Sequence, residues 1–128
     1  MKMVLDDATG LNLVSAYETG RVRIRGQYHQ TSLLIFPREL QTDWPAGDIA
    51  SLTAQLLRPV ADKKPEILIL GTGERQRFPD PRVFIPLMDA GIGYEVMDNT
   101  AACRTFNILL SEGREAALAL LSSQVPST

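Results

Sequence analysis

Apolar and polar residues alternate near the start of the chain. Val22 and Ile24 alternate with three arginines, and turn-forming glycines bound the segment. The arginines are Arg21, Arg23 and Arg25. A period of two is typical of a half-buried strand, so the pattern predicts an antiparallel meander over residues 11–36. It also places the arginines on one strand face, as either a solvated outer surface or a docking surface for an acidic partner.

The next segment has the spacing of a helix. After a loop at 37–47 that contains Trp44, apolar residues recur at intervals of three and four. They are Ile49, Leu52, Leu56 and Val60. This stripe predicts a helix with Asp48 as its N-cap residue, ended by Pro59 and residues 62–65.

A strand, a helix and a second strand are predicted further along the chain. The apolar run at 67–70 stops at Gly71, as expected of a central strand covered on both faces. A helical stripe begins at Pro81 and is closed by Gly91, and a short strand follows at 92–97. This order predicts a parallel crossover in which both strands end at the same edge of the sheet.

The last third of the chain favours helices. Residues 101–110 and 114–121 both predict helices, and the polar tail at 122–128 is expected to be flexible. Together the elements predict an α/β (mixed α+β) fold. It has a central mixed β-sheet, an N-terminal antiparallel meander, a parallel β-α-β crossover and flanking helices.

Length and composition indicate one domain. The chain has 128 residues, of which 45% are hydrophobic and 22% charged. These values are typical of a single compact domain at 1–128. A domain of this size buries roughly two-thirds of its extended surface, so its stability needs neither a disulfide nor a metal.

Charge and cysteine content exclude several classes of protein. The net charge of −2 gives no attraction to phosphate backbones, so nucleic-acid binding is not predicted. Cys103 and His29 are single residues of their type, which excludes a disulfide and a zinc site and makes a reducing cytoplasm the expected location. No membrane span is predicted, since no apolar run approaches about 20 residues, and the N-terminus lacks the apolar stretch of an export signal.

Two loops at the ends of the predicted parallel strands carry the candidate site. Ligands of open α/β sheets bind beyond the carboxyl ends of such strands, where helix N-termini also point. Glycines in the first loop permit close approach, and arginines near both loops suit a small anionic ligand. The predicted anion pocket consists of Gly71, Thr72, Gly73, Asp98, Cys103, Arg104 and Asn107. The simpler alternative gives these residues turn and helix-cap roles without a ligand.

Cys103 is the one candidate nucleophile. A thiol near a helix N-terminus can have a lowered pKa, but His29 lies in the predicted meander and no base is placed beside Cys103. A buried, inert cysteine is therefore favoured. The dinucleotide-binding motif is broken at Gln76, and no phosphate loop, serine elbow or carboxylate pair is present. Neither catalytic residues nor a cofactor nor a metal site is predicted.

Three segments resemble one known family. They are residues 66–73, 91–98 and 101–109. In them the chain resembles the Mth-type domain family, whose relatives include the adipogenesis-associated Mth-type domain protein and a mitochondrial complex I assembly factor. The resemblance covers about residues 3–121, which it implies are the core of the domain. It also implies a compact domain with a central mixed sheet, a β-hairpin region and flanking helices. Asn99 and Phe106 depart from the threonine and tyrosine usual in the family.

Two functional hypotheses follow. The resemblance carries no catalytic residues and implies a non-enzymatic binding or assembly-type protein that acts by contact with a protein partner, similar to a respiratory complex I assembly factor. The alternative is a small anion-binding protein or enzyme that uses the loops at 71–73 and 98–104.

Overall fold

The computed structural model describes residues 10–122. Three predictions lie outside the described residues: the absence of an export signal, the start of the core at residue 3 and the flexible tail beyond Ser122. The strands are β1 (Val14–Glu18), β2 (Arg21–Ile24), β3 (Gln27–His29), β4 (Leu33–Ile35), β5 (Leu40–Gln41), β6 (Ile67–Gly71), β7 (Gly93–Met97) and β8 (Ala116–Leu120). The α-helices are α1 (Ala54–Lys63), α2 (Ile85–Asp89) and α3 (Asn99–Ser111), and 3-10 helices lie at Ile49–Ser51 and Pro81–Phe84.

Five strands form the main sheet, in the order β5-β4-β8-β6-β7. β6 pairs in parallel with β7 and with β8, so that Gly71 lies opposite Met97 on one side and Leu120 on the other. β4 pairs antiparallel with β8 and with β5. The predicted mixed sheet and the parallel crossover from β6 through α2 to β7 are therefore confirmed.

The first three strands form a separate antiparallel sheet in the order β1-β2-β3. The predicted meander is correct for these strands, but residues 33–35 leave it and join the main sheet beside β8. Leu33, Leu34 and Ile35 are all fully buried, which suits a strand covered on both faces better than a half-exposed meander strand.

The helix predicted over residues 114–121 is wrong, because this segment is strand β8 at the centre of the main sheet. Alanine and leucine are the strongest helix formers, and they fill the segment. Every residue of β8 is buried. Burial between two layers overrides the local propensity, since a continuous apolar run suits a central strand equally well.

Helix α1 also begins later than predicted. Its N-cap residue is Thr53, whose hydroxyl accepts from the N–H of Leu56 at 3.4 Å, whereas Asp48 caps the preceding 3-10 helix. Pro59 lies inside α1 and does not end it. The helix ends at Lys63, where Lys64 adopts a left-handed conformation with a φ of 54°.

The main sheet separates two hydrophobic layers. Ile69 and Leu118 face one layer, with Cys103 and Phe106 of α3 and the inner side of the three-stranded sheet. The opposite face of the sheet packs against α1, α2 and Trp44. Strand alternation divides the apolar residues between these layers, which explains why the central strands have no polar side.

Candidate functional site

The two predicted loops lie side by side at the carboxyl edge of β6 and β7. The N–H of Thr72 donates to the carbonyl of Met97 at 2.9 Å, and the N–H of Asn99 donates to the carbonyl of Gly73 at 2.8 Å. These bonds continue the strand pairing into the loops. The structure thus brings together the glycine loop and the start of α3.

Asn99 lies at the centre of this edge, although it is not among the residues of the predicted pocket. Its side-chain oxygen accepts from the N–H of Gly73 at 2.9 Å, and its amide nitrogen donates to Tyr17 Oη at 3.1 Å and to the carbonyl of Leu121 at 2.9 Å. The residue is only 1% exposed. No sequence signal separates it from an ordinary polar residue in the first turn of a helix, since its partners come from distant segments.

Asn99 also explains Gly71. A Cβ added to Gly71 would lie 2.5 Å from the side-chain oxygen of Asn99 and 2.8 Å from a methyl carbon of Leu120. The absence of a side chain at Gly71 therefore makes room for Asn99. Gly73 differs, because its φ of 107° favours glycine for conformational reasons.

The glycine loop is fixed by its own polar groups. The Thr72 hydroxyl donates to the carbonyl of Arg75 at 2.6 Å and accepts from the N–H of Arg77 at 3.1 Å. The Tyr17 hydroxyl donates to the Glu74 carboxylate at 2.6 Å, which ties the loop to the three-stranded sheet.

Helix α3 carries the remaining predicted residues. The Asp98 carboxylate accepts from the N–H of Ala101 at 2.8 Å as an N-cap. Asn107 is buried, and its side-chain amide donates to the carbonyl of Val14 at 2.8 Å while its oxygen accepts from the N–H of Val14 at the same distance. Asn107 therefore bonds the free edge of β1 as a neighbouring strand would.

Cys103 and Arg104 have opposite surroundings on α3. Cys103 is fully buried, and burial raises the pKa of its thiol to about 12. The thiol is therefore protonated at neutral pH and is not activated as a nucleophile. Arg104 lies exposed on the helix, so the predicted residues do not all face one pocket.

The space next to this edge is small. The cavity that Tyr17 and Asn99 line, together with His29 and Arg21, has a volume of about 10 Å³. A cavity of this size holds about one water molecule. Among residues 10–122, no three side chains of the types that bind metals lie close together.

The three arginines near β2 do not form one row. Arg21 bonds Glu18 at 2.8 Å and lies over the ring of Tyr28, and Arg23 donates to the Ser15 hydroxyl at 3.3 Å. Arg25 lies beyond the strand, in a turn where its φ is 51°. The prediction of a shared strand face for all three is therefore wrong.

A different surface runs along β7, which is an edge strand of the main sheet. Phe78 is 74% exposed, Met88 of α2 is 60% exposed and Tyr94 of β7 is 37% exposed. The ring of Tyr94 stacks on Phe84, with the ring centroids 3.9 Å apart. We call Phe78, Met88 and Tyr94 the β7 surface. Met88 lies within the helical stripe predicted between Pro81 and Gly91, and Phe78 has no role among the sequence predictions.

The fold defines a single α/β domain in which a mixed sheet lies between helices and a small antiparallel sheet. The chain belongs to the family described as "Protein of unknown function (DUF498/DUF598)", whose sequence profile matches residues 14–121. Its structural neighbours include a Mth938-like domain of Bordetella pertussis, with a TM-score of 0.80 and 33% identity over 96% of this chain and 93% of that one. The predicted membership of the Mth-type domain family is confirmed.

Solved structures of other relatives share the fold. A Bordetella parapertussis protein has a TM-score of 0.83 and 40% identity, covering 90% of this chain and 98% of its own. An outer membrane protein from Bartonella henselae has a TM-score of 0.75 and 25% identity, covering 88% of this chain and 96% of its own. Within residues 10–122, no helix is long and apolar enough to cross a membrane.

Relatives with descriptive names fall into two groups. The Xenopus tropicalis NADH dehydrogenase (ubiquinone) 1 alpha subcomplex assembly factor 3 is 29% identical over 93% of this chain, and its Danio rerio counterpart is 39% identical over 61%. The chain spans less than two thirds of these proteins, at 66% and 46% of their lengths. The Francisella tularensis 13 kDa major membrane protein is 28% identical over 82% of this chain and 86% of its own length.

Proposed function

We propose that this protein is a non-enzymatic assembly-type protein that acts by binding a protein partner, in the formation of a respiratory NADH dehydrogenase complex. The observation that carries the proposal is the similarity to assembly factors of this complex over up to 93% of the chain. Those proteins are longer than this chain, which spans 66% of the Xenopus tropicalis assembly factor.

The geometry of the described residues supports contact more than turnover. The polar groups of Thr72, Asp98, Asn99 and Asn107 bond other groups of the chain. The one thiol is buried and protonated. Large apolar side chains are instead exposed on the β7 surface, and groups of neighbouring exposed apolar side chains are typical of protein-binding sites.

The anion-binding alternative has less support. Its loops do lie together, but Asn99 fills the space above Gly71, and the neighbouring cavity holds about one water molecule. An anion site at Arg104 and the loop N–H groups stays a prediction, which ligand titration tests. A cytoplasmic location also stays a prediction, and cell fractionation tests it against the membrane location that the names of two relatives indicate.

The assembly proposal is tested by deleting the protein in cells that produce it. We expect assembled NADH dehydrogenase to decrease on native gels stained for NADH oxidation, while another respiratory complex in the same cells stays unchanged. Reintroduction of the wild-type chain should restore assembly. A normal amount of assembled, active complex in the deletion strain would refute the proposed function.

A further inference from the structure

The outer edge of β7 has open backbone groups beside the exposed aromatic residues. Gly93 and Met97 bond toward β6, through the N–H of Gly93 to Glu66 and the carbonyl of Met97 to Thr72. Because bonding alternates along a parallel strand, Tyr94 and Val96 direct their N–H and C=O groups outward. The side chain of Gln76 donates to the carbonyl of Val96 at 2.9 Å. Within residues 10–122, the backbone groups of Tyr94 have no partner on that side.

Two contacts place the segment that contains Phe78 beside this edge. Gln76 is bonded to Val96, and Phe84 is stacked on Tyr94. The segment from Gln76 to Phe84 is therefore attached to β7 at both ends, at two strand residues that lie about 7 Å apart. Phe78 lies in this segment next to the buried Pro79, and it is the most exposed large apolar side chain of the described residues.

Positive charge lies next to the same edge. Arg75 and Arg77 are exposed, and neither has an ion pair within the described part of the chain. Arg82, by contrast, bonds Asp80 at 2.6 Å, and these hydrogen bonds lower the pKa of Asp80 to about 2. Glu95 is the carboxylate of β7 itself, and strand alternation directs it to the sheet face opposite Tyr94.

We propose that the β7 edge is a docking site for an extended segment of a partner protein, which adds as a strand beside Tyr94 and carries carboxylates next to an apolar side chain. The carboxylates pair with Arg75 and Arg77, and the apolar side chain packs on Phe78. Strand addition supplies affinity through backbone bonds, and the alternate side chains supply specificity. This inference rests on the proposed function, since it requires a protein partner.

A lipid surface fits the same residues less well. Arginines beside an exposed phenylalanine would suit anionic headgroups, but the open N–H and C=O groups of Tyr94 would then lie against hydrocarbon without partners. An extended peptide provides those partners. The net charge of −2 also gives the whole chain no attraction to an anionic membrane.

The test is a selection from a phage-displayed library of random twelve-residue peptides. We expect the wild-type protein to enrich peptides with Asp or Glu beside Leu, Ile or Phe. The double variant Arg75→Glu/Arg77→Glu should enrich Lys or Arg in place of the acidic residues, since the apolar contact is unchanged. The matched control, Arg25→Glu/Arg38→Glu, makes the same charge change at exposed positions away from β7 and should leave the selected sequences as in the wild type.

Two further measurements examine the contacts directly. Phe78→Ser should weaken a selected peptide by roughly tenfold or more, as expected of an aromatic anchor. Saturation with that peptide should slow hydrogen exchange at the Tyr94 amide, whereas the amide of Glu95, which already bonds β6, should change little. Unchanged exchange at Tyr94 would refute strand addition even if a peptide binds.

Other outcomes overturn the proposal as a whole. Selection of no common sequence, or of one that the charge reversal does not alter, rules out the β7 edge as the docking site. The β7 edge is also ruled out as a peptide-docking site if no peptide is enriched and the protein instead binds phosphatidylcholine vesicles that contain about one third phosphatidylglycerol. In that case the vesicle binding is lost in Phe78→Ser. Peptide selection with normal complex assembly in the deletion strain would instead refute only the assembly role. Impaired assembly without any selected peptide would refute only the docking site.

Discussion

Substitution of Gly71 by alanine tests whether this glycine serves packing. The added Cβ would lie 2.5 Å from the Asn99 oxygen, 2.8 Å from Leu120 Cδ1 and 3.2 Å from Ala102 Cβ. Asn99 cannot move freely, because its side chain makes three hydrogen bonds to distant segments. The substitution must therefore displace Asn99 or the strand. The φ of Gly71 is not positive, so backbone strain adds nothing to the cost.

The cost has two sources. Overpacking of a well-packed interior costs about 1–3 kcal/mol, and a buried hydrogen-bonding group that loses its partner costs about 1–3 kcal/mol. A single displacement of Asn99 relieves the clash and breaks its hydrogen bonds, so the two costs overlap and are not simply added. We expect Gly71→Ala to lower the free energy of unfolding by about 3 kcal/mol, which corresponds to roughly 10 °C in Tm for a domain of this size.

Urea denaturation followed by circular dichroism measures this change, and Gly93→Ala is its control. A Cβ at Gly93 would meet nothing closer than 3.9 Å, so its stability should stay within about 0.5 kcal/mol of the wild type. In the Asn99→Ala background, Gly71→Ala should cost much less, since the oxygen that it would contact is gone. Equal stability of Gly71→Ala and the wild type would show that Asn99 does not require this glycine.

Three further predictions concern α3. Asn107→Leu should lower the free energy of unfolding by about 2–3 kcal/mol, because it leaves the backbone groups of Val14 buried without partners. The control Ile108→Ala changes an exposed position of the same helix and should have little effect in the same urea titration. Cys103 should not react with Ellman's reagent at pH 8 in the native protein, since burial raises the pKa of its thiol to about 12, but should react once urea unfolds the chain; rapid native labelling would contradict this. If the predicted anion pocket exists, phosphate or a carboxylate at about 100 times its Kd should stabilise the wild type by about 2.7 kcal/mol, and Arg104→Ala should lose this shift. A shift that persists in Arg104→Ala would exclude the predicted role of that arginine.

Helical stripes and apolar runs identified most elements because they reflect contacts within one segment. The strand at 67–70, the strand at 92–97 and the helix at 101–110 were each placed within two residues of their observed bounds. The helix predicted at 114–121 is wrong because alanine and leucine have a high intrinsic helix propensity, and the local sequence does not show that this segment is buried between two layers. The start of α1 was misplaced because Asp48 and Thr53 are both good N-cap residues.

Residue patterns along the chain predict the family, the mixed α/β class and the meeting of the two loops at the carboxyl edge of β6 and β7. What lies between those loops depends on contacts between distant segments. Asn99 acquires its role from partners 26, 82 and 22 residues away, and Asn107 from a partner 93 residues away. The open edge of β7 likewise depends on the order of strands in the sheet. Local periodicity records which face of an element is apolar, whereas these roles depend on which distant segment that face or edge meets.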